Sequence, residues 1–129
     1  GTDVSVGRGT SQQFQVIGSP LLDSCDYHFT PISRSGAKYP KHENQDCCGW
    51  DLRGIEVQDK IDLDYLMEAY RQYKLKGTRF FNSFFDKLAG SSQLRIQIES
   101  GWTSDQIKQS WKDGIDAFKE KREPYLVYP

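Results

Sequence analysis

Apolar residues in the first half of the chain fall into short runs, a pattern that predicts strands. Residues 14–17 form an apolar run that ends at a Gly-Ser-Pro turn, and residues 27–33 and 52–59 alternate apolar with polar side chains. Residues 1–13 are rich in glycine, serine, threonine and glutamine, and predict a loop. The polar residues 34–49 predict a long loop, and such loops in compact domains are often functional or mobile.

The period of the apolar positions changes after residue 60. Residues 61–77 carry apolar side chains at helical spacing, with acids early, bases late and a glycine at the end. Residues 80–90 predict a second, short helix that ends at glycine. Residues 91–101 fit either a strand or a helix, and the flanking glycines and helical neighbours favour a helix. The clearest helical pattern covers residues 103–123.

This last helix carries both a start signal and an apolar stripe. Thr103 and Gln106 have the spacing of a capping box. Four residues of one face are predicted to lie in the core: Ile107, Trp111, Ile115 and Phe118. Pro124 predicts the end of the helix, and residues 125–128 predict a closing strand. The order predicts an α+β fold: a small mixed or antiparallel sheet from the N-terminal half and the C-terminal strand, packed by three to four helices.

Composition limits the classes of protein that fit. The chain has 129 residues, which is the size of one domain. Hydrophobic residues are only 36%, but aromatic residues are 13%, so we expect a core rich in aromatic rings. The net charge of −1 gives no basic surface for nucleic acid. No window has the apolar length of a membrane span, no signal peptide is visible, and no cofactor is expected.

The chain has three cysteines, which predict one disulfide and one spare thiol. Adjacent Cys47 and Cys48 rarely bridge each other, so Cys25 could pair with either of them. Cys25-x-x-His28, together with His42 and Cys47, also supplies zinc-type ligands. Structural zinc sites usually have paired short spacings, and only one is present here. We therefore interpret these residues as a disulfide with exposed histidines, and expect no metal.

The stretch SVGRGT is the strongest candidate for a binding loop. Gly7 and Gly9 flank Arg8 and would let the backbone approach a ligand closely. The planar guanidinium suits a carboxylate or a phosphate, and Ser5 and Thr10 add hydroxyl groups. The stretch matches neither a Walker A loop nor a dinucleotide-binding loop. The alternative is a flexible loop with an incidental arginine, which composition alone favours.

Other chemistry is less distinct. Tyr27, Tyr39 and Trp50 flank the long polar loop, where aromatic faces could stack on sugar rings. Packing in or around the core is the more common role of such rings. Asp62 and Asp64 lie at a predicted helix start and are explained by its dipole. No carboxylate pair is identified as catalytic.

Several stretches together identify a family. GTDVSVGRGT followed by FQVIGSPLL resembles the signature that opens the C-terminal region of the exo-β-N-acetylmuramidase (NamZ, or YbbC-like) family. HFTP, the Cys-x-Gly of Cys47–Gly49, FFDKLAGSSQLRIQIESG and KREPYLVYP resemble later parts of that region in the same order. The resemblance implies that residues 1–129 form a single domain. It is similar to the C-terminal domain of a two-domain enzyme, whose Rossmann-like N-terminal domain is absent from this sequence.

The resemblance also implies an activity and a partner. Such enzymes release N-acetylmuramic acid from the non-reducing end of peptidoglycan fragments. The cleft is expected between the two domains, with the catalytic acid on the N-terminal one, so this chain alone is expected to be inactive. The implied partners are that N-terminal domain and the muramic-acid-containing fragments. The implied compartment is periplasmic or extracellular. The alternative is a non-catalytic carbohydrate-binding or interaction domain of a cell-envelope protein.

The same resemblance supplies the expected site residues. The substrate-binding residues are expected to be Ser5, Gly7, Arg8, Gly9 and Thr10. The guanidinium would meet the lactyl carboxylate of muramic acid or brace a catalytic carboxylate of the other domain. Asp3 of the same stretch is a further candidate, and the aromatic residues Tyr27 and Trp50 are candidates because their rings could stack on sugars. Asp3 stands where the family commonly has Asn, and Val6 stands where many members have Glu.

Overall fold

The computed structural model describes residues 1–56 and 59–128. Three strands come first: β1 (Val16–Ser19), β2 (Tyr27–Phe29) and β3 (Cys47–Asp51). Five helices follow: α1 (Asp64–Leu75), α2 (Phe85–Ala89), α3 (Gln93–Glu99), α4 (Ser104–Ser110) and α5 (Lys112–Arg122). A 3-10 helix (Glu123–Tyr125) comes last. The α+β fold class is confirmed. Within the described ranges, no helix has the length and apolar content needed to cross a membrane.

The strands form one antiparallel sheet with the order β1-β3-β2. In its register Gly49 of β3 lies opposite Gly18 of β1 and Tyr27 of β2. A Cβ atom at Gly49 would lie 1.8 Å from the carbonyl oxygen of Ile17. Because no side chain fits at that distance, the centre of the sheet requires glycine.

The two faces of the sheet belong to two separate apolar clusters. Successive side chains of a strand point to opposite faces, so Cys48 and Trp50 face the helices while Cys47 faces away. The larger cluster lies on the helix side: Leu22, Cys48, Leu63, Ala69, Tyr73, Phe80, Phe81, Phe85, Ile98 and Ile107. The smaller cluster on the opposite side consists of Val16, Phe29 and Cys47, with Tyr27 packed against it.

The larger core is built around aromatic rings, as the composition indicated. Tyr73 of α1 is completely buried, and its ring centroid lies 5.1 Å from that of Phe80. Phe81 lies 4.9 Å from Phe80 and 4.4 Å from Phe85, again between ring centroids. Edge-on and tilted arrangements of this kind add to the free energy gained by burying apolar area. Aromatic rings thus supply much of the core of a chain with few aliphatic residues.

The predicted helices are present, although the one predicted over residues 80–90 covers only Phe85–Ala89. Residues 93–99, which fitted either strand or helix, form α3. The capping box of α4 is complete: Thr103 Oγ1 accepts the Gln106 N–H at 3.2 Å, and Gln106 Oε1 accepts the Thr103 N–H at 2.9 Å. The helix predicted over 103–123 is divided at Trp111, where α4 ends and α5 begins.

Two strand predictions are displaced by a few residues. The predicted strand 14–17 is instead Val16–Ser19, because Phe14 has a φ of 61° that a strand does not allow. The strand predicted over 27–33 ends at Phe29, before Pro31, which has no amide to donate to a ladder.

Two other strand predictions are wrong. The third strand of the sheet is Cys47–Asp51, not 52–59; residues 52–56 form a turn and irregular chain, and residues 57–58 lie outside the described residues. The predicted closing strand at 125–128 has no partner in the described sheet. Pro124 instead stands in the first turn of the 3-10 helix, where its fixed φ favours a helical start.

Only the first half of the apolar stripe in the last helical region lies in the core. Ile107 is 0% exposed and Trp111 is partly buried, as predicted. Ile115 is 46% exposed and Phe118 is 61% exposed, so the prediction that they lie in the core is wrong. None of the residues of α5 is buried, and its main described neighbours are α4 and the 3-10 helix, so no further element covers this part of the stripe.

We expect Ile107→Ala to lower the free energy of unfolding by about 2–5 kcal/mol, because it leaves a cavity in a packed core. Ile115→Ala, the matched control on the same stripe, should change it by less than about 0.5 kcal/mol. Urea denaturation followed by circular dichroism measures both values. Equal losses in the two variants would contradict the burial described for this stripe.

Candidate functional site

The candidate binding loop begins at the edge of the sheet. The Ser5 N–H donates to the Gly18 carbonyl at 2.8 Å, and the Gly18 N–H donates back to the Ser5 carbonyl at 3.0 Å. This pair of hydrogen bonds places Ser5 on the free edge of β1. Three residues later the chain turns, and the Thr10 N–H donates to the Gly7 carbonyl at 3.1 Å. Backbone hydrogen bonds therefore fix both the start of the loop, at Ser5, and the turn between Gly7 and Thr10.

Close packing explains the two glycines of this turn. Gly7 and Gly9 have φ values of 79° and 90°, which L side chains rarely adopt. A Cβ on Gly7 would lie 2.5 Å from the Gln12 carbonyl oxygen and 2.7 Å from a methyl of Val16. A Cβ on Gly9 would lie 2.7 Å from the ring of Pro40. Both glycines thus let the loop lie flat on the smaller apolar cluster and on the long polar loop.

The two hydroxyl groups of the loop point inward. Ser5 is 3% exposed, and its Oγ accepts the Gly7 N–H at 3.3 Å. Thr10 is 7% exposed; its Oγ1 donates to the Gly7 carbonyl at 2.7 Å and accepts the Gln12 N–H at 2.9 Å. These contacts satisfy both side chains within the loop. Of the five predicted binding residues, Arg8 is the one whose side chain is exposed.

Arg8 is steadied by a second turn of the chain. One Nη2–H of its guanidinium donates to the carbonyl oxygen of Gly36 at 3.2 Å. Gly36 belongs to a tight turn closed by hydrogen bonds between Arg34 and Ala37 of 2.9 and 3.2 Å. This bond restrains the arginine and leaves most of its donors facing the solvent.

A groove of about 280 Å³ runs between the loop and β2. Its walls include Gly9 and Thr10 of the loop, Tyr27 of β2 and Arg34 of the turn. Arg34 was not predicted from the sequence, since nothing in its neighbourhood forms a motif. The contact that brings its turn to the loop, between Arg8 and the Gly36 carbonyl, spans 28 residues and gives no local signal in the sequence.

The two aromatic candidates lie in different places. Tyr27 lines the groove, and the guanidinium of Arg53 lies 5.6 Å from the centre of its ring. Trp50 packs edge-on against Tyr65, with 5.6 Å between ring centroids, on the helix side of the sheet. The structure brings Tyr27 to the loop and keeps Trp50 away from it.

Asp3 is half-buried and is held by hydrogen bonds that reach into the core, instead of facing the groove. Its N–H donates to the Phe80 carbonyl at 3.1 Å, and its own carbonyl accepts from His42 Nε2 at 2.9 Å. The Tyr73 hydroxyl lies 3.0 Å from that carbonyl oxygen and 3.1 Å from the Asp3 carboxylate. The same hydroxyl is hydrogen-bonded to the hydroxyl of Ser19. Burial raises the pKa of Tyr73 well above its usual range, so the phenol stays protonated.

The cysteines form one disulfide and one buried thiol. Cys25 is bonded to Cys48, which decides between the two pairings that the sequence left open. Cys47 is free, and burial together with the nearby Asp46 raises the pKa of its thiol to about 12. His42 lies at Asp3 instead of beside the cysteines. The four zinc-type ligands named from the sequence therefore do not meet in one site.

Comparison with known proteins defines the class first: the chain matches a family of C-terminal domains. The family described as "Exo-beta-N-acetylmuramidase NamZ, C-terminal" matches residues 1–128, and the chain belongs to this family.

Two relatives support this. The peptidoglycan β-N-acetylmuramidase NamZ of Bacillus subtilis (strain 168) is 28% identical over 144 residues, which cover 99% of this chain and 34% of that protein. The crystal structure of a DUF1343 family protein from Bacteroides fragilis NCTC 9343 has a TM-score of 0.91 and 43% identity, covering 99% of this chain and 37% of the other. The chain thus spans about a third of the length of these relatives.

We expect Tyr73→Phe to lower the free energy of unfolding by about 1–3 kcal/mol, because Ser19 and Asp3 lose a buried partner. Amide exchange at Ser5 and Gly18 should quicken more than exchange in β3, since the N-terminal segment loses its anchor. Urea denaturation and hydrogen-exchange NMR measure the two effects.

The matched control is Tyr70→Phe. The Tyr70 ring stacks on Phe81, but its hydroxyl has no hydrogen-bond partner among the described residues. This variant should change the free energy of unfolding by less than about 0.5 kcal/mol. If both variants lose the same stability, the network around Asp3 does not anchor the loop.

Proposed function

We propose that this chain forms the C-terminal wall of the substrate cleft of an exo-acting β-N-acetylmuramidase, where Arg8 binds the lactyl carboxylate of the terminal N-acetylmuramic acid. The proposal rests on the different orientations of the side chains within the loop. Ser5 and Thr10 turn inward and fix its shape, while Arg8 faces outward. The relative from Bacillus subtilis, described as a peptidoglycan β-N-acetylmuramidase, supports the class of substrate.

The chemistry of the guanidinium suits this role. Arginine binds a carboxylate through two parallel N–H···O hydrogen bonds, and such charge-assisted pairs are about twice as strong as neutral ones. The Gly36 carbonyl occupies one edge of the group, so its conformational freedom is already reduced before a ligand arrives. The lactyl ether distinguishes N-acetylmuramic acid from N-acetylglucosamine, which has no carboxylate. Arg8 would therefore contribute both affinity and specificity.

The groove supplies contacts for the rest of the sugar. Tyr27 presents a ring beside the loop, on which the apolar face of a pyranose can stack. Arg34 lines the groove and adds a cation there, on the turn that Arg8 contacts through Gly36. Its carbonyl and amide are bound to Ala37, so the turn that carries it is held in place.

The catalytic groups are expected on another part of the same protein. Glycoside hydrolysis requires positioned carboxyl groups, and the groove-lining residues include neither Asp nor Glu. We assign the acid to an N-terminal domain of the whole protein, which fits the fact that this chain covers 34% of its Bacillus relative. By itself the chain is expected to hydrolyse nothing. A periplasmic or extracellular location follows from the proposed substrate and would suit the Cys25–Cys48 disulfide.

The second candidate function is a carbohydrate-binding domain of a cell-envelope protein that has no turnover. The same absence of Asp and Glu from the groove lining favours it, because binding alone needs only the ring and the cations. The two functions differ in whether the whole protein cleaves a muramide.

The test uses the full-length protein that contains this chain. We expect it to release a chromogenic aglycone from a β-N-acetylmuramide and not from the matching N-acetylglucosaminide. Arg8→Ala should lower kcat/KM for the muramide about 10- to 100-fold, the size expected from losing hydrogen bonds to a charged group. Arg8→Lys should retain part of this kcat/KM, since lysine keeps the positive charge but cannot form the two parallel hydrogen bonds of a guanidinium.

The matched control is Arg71→Ala, an exposed arginine on α1 that pairs with Glu68. It should leave kcat/KM unchanged. A dead Arg8→Ala enzyme that still binds the sugar would show that Arg8 supports a catalytic carboxylate instead. A wild-type protein that binds but cleaves neither glycoside would replace the hydrolase proposal with the binding-domain one.

A further inference from the structure

Three metal-type donors meet at the edge of the sheet, and one of them, His28, also lines the groove. Cys25 and His28 are three residues apart on the chain that enters β2, and Cys48 lies directly opposite His28 in the register with β3. The Sγ atoms of both cysteines and a ring nitrogen of His28 all lie within 4.8 Å of one another. The Cys25 Sγ is 3.5 Å from His28 Nε2. The sequence predicted a disulfide near exposed histidines but not this convergence, since the third donor comes from a distant strand.

A fourth residue orients the histidine. Its other ring nitrogen, Nδ1, lies 2.8 Å from Oδ2 of Asp46. A carboxylate in this position holds the proton on Nδ1, so the lone pair of Nε2 points at the sulfur atoms. This arrangement of carboxylate, histidine and vacant ring nitrogen is the one that metal-binding histidines use in proteins. The side chains of His28 and Asp46 are 60% and 66% exposed, so an ion can reach the site.

We propose that reduction of the Cys25–Cys48 disulfide converts this cluster into a zinc site, with Cys25, Cys48 and His28 as ligands and water in the fourth position. A dithiol reductant supplies two electrons and two protons: the S–S bond breaks, two thiols form, and the reductant becomes a disulfide. One Zn²⁺ then displaces a proton from each thiol. Asp46 keeps its hydrogen bond to His28.

The donor set favours zinc over other common ions. Two thiolates and an imidazole suit a borderline-soft ion with tetrahedral geometry, whereas magnesium and calcium need oxygen ligands. The cysteines have a Cα–Cα distance of 5.6 Å in the oxidised form, so a bridging ion needs only a small opening of the pair. An ion at this place would link the same two segments that the disulfide links. This inference does not rest on the proposed function.

The test uses the purified chain and zinc alone. The oxidised chain and the anaerobically reduced chain, freed of reductant, compete with a chromogenic chelator for Zn²⁺. We expect the reduced chain to bind one equivalent and the oxidised chain to bind none. Co²⁺ in place of zinc should give the charge-transfer bands of thiolate ligands and the visible bands of a tetrahedral ion, in the reduced chain alone.

Matched variants separate this site from the other histidine and cysteine. Asp46→Asn should weaken zinc binding about 10- to 100-fold, as is usual for the partner of a metal-binding histidine, and His28→Ala at least as much. His42→Ala and Cys47→Ser should bind zinc like the wild type, because both residues lie away from the cluster. Equal weakening by His28→Ala and His42→Ala would overturn the proposal.

Reduction could also unfold the chain and expose its thiols, so folding is measured alongside binding. We expect zinc to raise the Tm of the reduced chain and to leave that of the oxidised chain unchanged, because the ion binds the native arrangement. The proposal is overturned if the reduced chain binds no zinc. It is also overturned if zinc binds without raising the Tm, since the ligands would then belong to an unfolded chain.

Discussion

The hydroxyl group of Tyr73 is the contact on which the arrangement of the site depends. It comes from the last turn of α1, within the helix-side core, and reaches both Ser19 at the end of β1 and Asp3 in the N-terminal segment. One buried polar group therefore ties a helix, a strand and a segment with few apolar residues of its own. Such a group is costly to bury unless every partner is in place, which makes the arrangement specific.

The loop that follows Asp3 illustrates how a segment without a core can still be ordered. Backbone pairing of Ser5 with Gly18 fixes its beginning, and the hydroxyls of Ser5 and Thr10 satisfy its internal amides and carbonyls. Glycine allows the tight turn and the close approach to neighbouring chain. The loop has the composition of a flexible tail, but its hydrogen bonds and packing hold it in one shape that exposes one arginine.

The helices were predictable because their signals are local. The capping box at Thr103 and the helical spacing of residues 61–77 depend only on neighbours in the sequence. β3 was not predictable in this way: Cys-Cys-Gly-Trp-Asp is covered on both faces and shows no alternation, and its partner strands are remote in sequence. The exposure of Ile115 was also not predictable, since an apolar stripe does not reveal whether another element covers it.

The candidate site divides in the same manner. The glycines and the arginine of the loop were recognisable from residue types, as was the family that carries them. The inward orientation of Ser5 and Thr10, and the position of Trp50 behind the sheet, depend on which side of a strand each residue occupies. Arg34 lines the groove because its turn contacts Arg8. That contact, between Arg8 and Gly36, joins residues 28 positions apart, and no local pattern of the sequence predicts it.

Gly49 also limits how this domain can diverge among its relatives. A Cβ on Gly49 would lie 2.6 Å from the Gly18 α-carbon, and a Cβ on Gly18 would lie 2.7 Å from both Phe29 and Cys48. A point mutation at either position has to push the strands apart, and the loop root at Ser5 moves with β1. The two glycines therefore constrain the sheet and the attachment of the loop together, because a side chain at either position disturbs both.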